Sequence, residues 1–179
     1  MMRLLQRLRR RTLDERGSAS VEFVIALPIL MAIFMASFES GLFMTRKIML
    51  EQSVDIVMRE LRLAHYPSPV TTDKLKTEIC NRTIMFENCA ANIMIELQKI
   101  STSTFALPTT SAECRDLSQP IKPSTVLQIG AENELMLVRV CIIADALFPT
   151  TGVGLGLTRT TNGGGVQILA VSAFANEPS

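Results

Sequence analysis

The sequence predicts an α+β protein in which one long N-terminal helix, transmembrane and then amphipathic, packs on a small and mostly antiparallel sheet. Three observations carry this expectation. Val24 to Phe38 is free of charged residues; Leu50, Val54, Val57, Leu61 and Ala64 recur at spacings of four and three; and two later stretches show the period-two pattern of half-buried strands.

Composition sets the frame. Of 179 residues 47% are hydrophobic and 20% charged, with the apolar excess concentrated near the N-terminus, so one membrane segment and one soluble domain fit better than several spans. The net charge of +1 hides an asymmetry: Arg3, Arg7, Arg9, Arg10, Arg11 and Arg16 stand against Asp14 and Glu15 in residues 1–17, a balance of +4 that leaves −3 for the rest. A basic cluster leading straight into an apolar helix reads as a cytoplasmic anchor under the positive-inside rule, and no nucleic-acid partner is expected.

Residues 1–17 read as a basic leader. A secretory signal peptide would set its apolar region before the small-residue cut site, and here the order is reversed. The Asp14-Glu15 pair also argues against a twin-arginine signal.

Residues 18–45 read as the transmembrane helix. Val21 to Met44 is interrupted only by Glu22 and Glu39, which makes it long enough to cross. The two carboxylates lie about 25 Å apart along a helix and bracket the hydrocarbon layer. Pro28 is tolerable there and should kink the helix or loosen its hydrogen bonds. An ionisable residue inside a membrane segment is a functional hypothesis by default, so Glu22 on the first turns calls for a partner. A carboxylate favoured by the helix dipole is the plainer reading.

Residues 46–66 read as an amphipathic extension whose apolar stripe packs on the protein's own domain or on a partner helix. Tyr66-Pro67-Ser68-Pro69 should end it. Residues 67–179 then form the soluble domain. Asp73 is expected to cap a helix reaching Met85, with Leu75 and Ile79 on its inner face. Ala90 to Ile100 alternates as a strand. Residues 101–125 hold ten Ser or Thr with Pro108, Pro120 and Pro123, which marks a long loop. Glu134 to Asp145 is a second strand, with Met136, Val138, Val140, Ile142 and Ala144 on one apolar face. Asn162-Gly163-Gly164-Gly165 should turn a hairpin between Leu155–Thr161 and Val166–Ala175. Without a following Lys-Ser or Lys-Thr it is not a phosphate loop.

Cys80, Cys89, Cys114 and Cys141 all lie beyond the apolar run, an even number suited to an oxidising compartment. Three pairings are possible, and the short loop favours Cys80 with Cys89, leaving Cys114 with Cys141; free buried thiols are the alternative. No metal site is expected, since there is no CxxC and the single His65 is distant in sequence from every cysteine. Nucleophile-elbow and zinc-protease motifs are missing, so neither an enzyme nor a cofactor is expected.

The opening motif adds a resemblance. Gly17, followed by Ser18-Ala19-Ser20-Val21-Glu22-Phe23, looks like the class III, type IV prepilin-like processing site, cut between Gly17 and Ser18, with Glu22 fifth in the mature chain. The wider run to Arg46, with Leu27-Pro28 and Phe38-Glu39-Ser40-Gly41, is similar to the TadE-like family of tight-adherence (Flp) pilus proteins, and Asn176-Glu177-Pro178 resembles the close of many members. Phe23 stands where major Flp pilins usually carry Tyr, and removing 17 of 179 residues leaves a mature chain far longer than a major pilin.

The resemblance implies a minor pilin or pseudopilin in the bacterial inner membrane. Its N-terminus would be cytoplasmic and its domain periplasmic, and a prepilin peptidase would mature it. Its partners would be lipid and other pilins or pseudopilins, namely a TadE-like or TadF-like subunit and the Flp pilin. The alternative is an unprocessed, single-pass, membrane-anchored periplasmic binding module.

Overall fold

The computed structural model describes residues 18–63, 65–66, 68–109, 112, 114–115, 126–150, 156–157 and 165–177. The expected leader, Gly17 of the expected cut site, Ala64 of the stripe and the Asn162–Gly164 turn lie outside them.

One helix, α1 (Ser18–Arg62, 45 residues), dominates the architecture and runs through Pro28. At 1.5 Å per residue it is about 67 Å long, more than twice a hydrocarbon layer. Three of its hydroxyls bond back to its own carbonyls: Ser37 Oγ to Ile33 O (2.8 Å), Thr45 Oγ1 to Gly41 O (2.8 Å) and Ser53 Oγ to Met49 O (2.7 Å). The helix is bare in its first half and packed in its second. Leu50, Val54 and Val57 of the stripe are fully buried, and Leu61 packs at the edge of the same core.

Helix α2 (Thr72–Arg82) crosses α1 and buries Leu75 and Ile79 against it. Its cap corrects the sequence expectation: Thr71, not Asp73, holds the extended conformation of an N-cap (φ −128°, ψ 153°), and its hydroxyl accepts Lys74 N–H at 3.4 Å. Asp73 falls in the first turn, where its charge suits the helix dipole. The helix also stops at Arg82 rather than Met85, because Thr83 turns back, its hydroxyl donating to Ile79 O at 3.2 Å.

Residues 90–92 are a second correction. They belong to a single helical turn, α3 (Cys89–Asn92), and the strand starts later, as β1 (Met94–Ile100). Left-handed Asn88 (φ 50°) reverses the chain, and the Cys80–Cys89 disulfide holds the turn against the end of α2 with the two Cα atoms 5.7 Å apart.

Strands β1, β2 (Leu135–Ala144) and β3 (Val166–Ala175) form an antiparallel sheet in that order. Ile95 faces Val140, and Val140 faces Ala170. Strand β3 pairs with β2 along its whole length, from Ala144↔Val166 to Leu135↔Ala175. Of the first strand expected for a hairpin, only Gly156 and Leu157 are described, and neither is in a strand. β2 is the central strand, and eight of its ten residues, 136–143, are buried, so both faces of it are covered.

The outer edge of β1 is met by residues 126–128, where Leu97 N–H donates to Val126 O (2.9 Å) and Gln128 N–H to Leu97 O (2.8 Å). The inner face carries the core: Ile93, Ile95 and Leu97, then Met136, Val138, Val140 and Ile142, then Ile168 and Ala170, all closed over by α1 and α2. Residues 101–109 are irregular, as expected of the long loop. Beyond them the Cys114–Cys141 disulfide fastens the chain to the outer face of β2.

Candidate functional site

Two regions of α1 carry the residues that the sequence singles out. The first is its N-terminal half. Residues 19–35 are exposed throughout, with Phe23 at 62% and Phe34 at 63%. An apolar surface of this length in water would be a severe liability, so it belongs against lipid or another apolar helix. Among the described residues this is the one helix long and apolar enough to cross a membrane. Glu22 and Phe23 sit on its exposed opening turns, away from the folded domain. Pro28 lies within the same bare stretch.

The second region begins at Glu39. Its side chain is 2% exposed, and it stands 17 positions from Glu22 in a quite different environment. One carboxylate oxygen accepts Leu147 N–H at 3.2 Å and the other accepts Phe148 N–H at 2.7 Å. The carboxylate thus satisfies two amides of the loop after β2, as a helix cap satisfies orphan N–H groups. Around this latch Phe148 packs edge-on to Phe38 with ring centroids 6.4 Å apart, and Arg46 Nη1 donates to Asp145 O at 2.8 Å. Sequence reading missed residues 145–148 as partners of the helix. Loop spacing holds no signal for a contact across more than a hundred residues.

The opposite end of α1 is clamped by the chain's last described residues. Arg62 Nη2 pairs with Glu177 Oε1 at 3.1 Å, and Glu177 N–H reaches Arg62 O at 3.4 Å. Asn176 donates from Nδ2 to Gly130 O (2.8 Å) and Ala131 O (3.1 Å). The Asn-Glu pair near the C-terminus therefore closes the domain onto the helix. Gly130 lets Met136 pack close to the backbone there, and a Cβ would push its side chain aside. Beside the clamp is a cleft of about 300 Å³ lined by Leu61, Tyr66, Val70, Ile129, Met136 and Phe174. Burial pushes the Tyr66 phenol above its ordinary pKa, and the Glu78 and Glu60 carboxylates add to the shift.

All four cysteines are paired, Cys80 with Cys89 and Cys114 with Cys141, which leaves no thiolate for metal or nucleophilic chemistry. No cluster of three His, Cys, Asp or Glu able to hold a metal occurs among the described residues. On the outer sheet face Arg139 Nη2 and Glu96 Oε2 pair at 2.7 Å with little exposure. They lie opposite each other in register, a cross-strand ion pair rather than a catalytic dyad.

Residues 17–59 match the family model described as TadE-like protein. Over that stretch the chain is similar to TadE-like proteins, a likeness that supports a pilus-associated protein and suggests pilin-type partners. No curated protein and no solved structure matches the chain.

Proposed function

We propose that this TadE-like chain is a minor pilin or pseudopilin in the assembly of a Tad (Flp, type IVb-like) pilus, matured by a prepilin peptidase that cuts between Gly17 and Ser18. The family match carries the reading: it opens on Gly17, covers Glu22, the bare apolar helix and Glu39, and ends at residue 59, within α1.

The chemistry of those residues fits the role. Glycine gives a peptidase an unhindered, extended backbone. Cutting there creates an ammonium on Ser18. In lipid or in a filament core, Glu22 of one subunit and the new N-terminus of its neighbour attract each other far more strongly than in water. Removing either partner strands a charge in low dielectric. The bare half of α1 sits first in the inner membrane and then against other pilin helices. We take the membrane-spanning part as Ser18 to about Phe38 rather than to residue 45, a reading supported by the domain's contacts with Glu39 and Arg46. The domain then stands in the periplasm, where disulfides persist.

The test is mass spectrometry of the N-terminus from cells with an active prepilin peptidase. Ser18 is the expected first residue; Met1 or Met2 would overturn the reading. Glu22→Ala should abolish co-purification with partner pilins while leaving the domain folded. The second reading, an unprocessed membrane-anchored binding module, draws on the cleft beside Tyr66 and predicts that Glu22→Ala is silent.

A further inference from the structure

We infer that the loop from Ala146 to Pro149 is a membrane foot, in which Leu147 and Phe148, together with Phe38 of α1, seat in the lipid headgroup–acyl boundary and set the domain flush on the bilayer. The inference rests on reading Ser18 to Phe38 as the membrane span.

Height along the helix is the first argument. Ser18 to Phe38 rises about 31 Å, the thickness of a hydrocarbon core. The Glu39 carboxylate holds the amides of Leu147 and Phe148, and the Phe148 ring meets Phe38, so the loop is pinned level with the last residues of that span. Helical side chains tilt toward the N-terminus, which carries the Glu39 carboxylate, and the loop with it, toward the bilayer.

Chemistry is the second. Leu147 is 52% exposed and Phe38 52%, side by side with a helix surface that is itself bare and apolar. The foot continues that surface outward from the helix. A loop can approach the acyl region only if its backbone polar groups are satisfied, and here the two amides nearest the span already bond to Glu39. The same two bonds shield the carboxylate at a depth where a lone charge would be costly. Arg46, two turns further out, holds Asp145 O and marks where the loop climbs back into the domain.

The chain contains no tryptophan, so a single introduced one reports its own depth. The full chain would be reconstituted without partners in phosphatidylethanolamine–phosphatidylglycerol vesicles, with and without acyl-chain bromination. Three variants are compared: Leu147→Trp at the foot, Leu30→Trp in the span, and Ile129→Trp at the clamped far end of the domain. Leu30 is 59% and Ile129 54% exposed, so each substitution is accommodated at the surface.

Bromination should quench the Leu147→Trp and Leu30→Trp variants about twofold or more, the former with blue-shifted emission, and leave Ile129→Trp unchanged. If Leu147→Trp behaves like Ile129→Trp while Leu30→Trp is quenched, the foot is refuted and the span stands; a surface that instead faces another subunit gives this result. If Leu30→Trp is not quenched, the span and the foot fall together.

Discussion

The carboxylate of Glu39 accepts the backbone N–H of Phe148 at 2.7 Å, joining the middle of the N-terminal helix to a loop 109 residues later. With the parallel bond from Leu147, it makes one buried side chain the link between the membrane-compatible part of the helix and the sheet. Glu39→Ala leaves two amides without their acceptor and should cost about 2–4 kcal/mol of domain stability. Glu39→Gln keeps one carbonyl acceptor and should cost less. Urea midpoints followed by circular dichroism in a mild detergent separate the two, and equal losses would show that only one bond matters.

The Arg139–Glu96 pair should behave as an ion pair held inside protein, since its side chains are only 9% and 16% exposed. Arg139→Met removes the cationic partner of the Glu96 carboxylate and should cost about 3–5 kcal/mol, whereas Glu96→Gln keeps a hydrogen-bonding side chain beside Arg139 and should cost less. Replacing both with apolar residues of similar volume should be close to neutral or stabilising. A double-mutant cycle on thermal or urea unfolding measures the difference, and additive single losses would mean the two groups do not interact.

The two disulfides should contribute unequally. Cys114 and Cys141 are 27 positions apart against 9 for Cys80 and Cys89, so the longer loop constrains the unfolded chain more, by about 1 kcal/mol in the loop-entropy picture. Pairwise replacement by serine, scored by the urea midpoint, should therefore destabilise more at the Cys114–Cys141 bridge. Peptide mapping without reductant should recover both cross-links.

Glu134 gives the acid side of the stability curve a defined contribution. The Lys99 ammonium bonded to its carboxylate, and the Ala131 N–H at 2.9 Å, hold its pKa below the usual carboxylate value. The unfolded chain then takes up this proton more readily than the folded one. The contribution is complete above the unfolded-state pKa of about 4.3 and disappears as pH falls through the lower folded value. A carboxyl-carbon NMR titration should place the Glu134 midpoint below 4.3, Lys99→Met should move it up, and added salt should weaken the effect.

Much of the domain was legible because its signals are local. A fifteen-residue run without charge specifies an apolar helix whatever surrounds it, and the spacing of Leu50, Val54 and Val57 marks one face of that helix; all three are fully buried. Alternation in Met136 to Ile142 identified β2 for the same reason. Boundaries were less legible. Thr71 and Asp73 are both capable caps, and only the extended backbone at Thr71 selects between them. The start of β1 was hidden because Ala90 to Asn92 suits a strand as well as the turn that the Cys89 disulfide imposes.

Periodicity and composition are properties of neighbouring residues, and they were enough to specify the apolar helix near the N-terminus, the one apolar stripe along its second half and the strand-forming runs that follow. The short loop already favoured the cysteine pairing that is found, but only the closed core settles that β2 lies beside β3 and that Glu39, alike in type to Glu22, is enclosed by a loop while Glu22 stays on the bare helix. Those outcomes depend on which distant groups arrive together when the core closes. A buried amide takes the partner that geometry delivers, and no spacing along the chain encodes that.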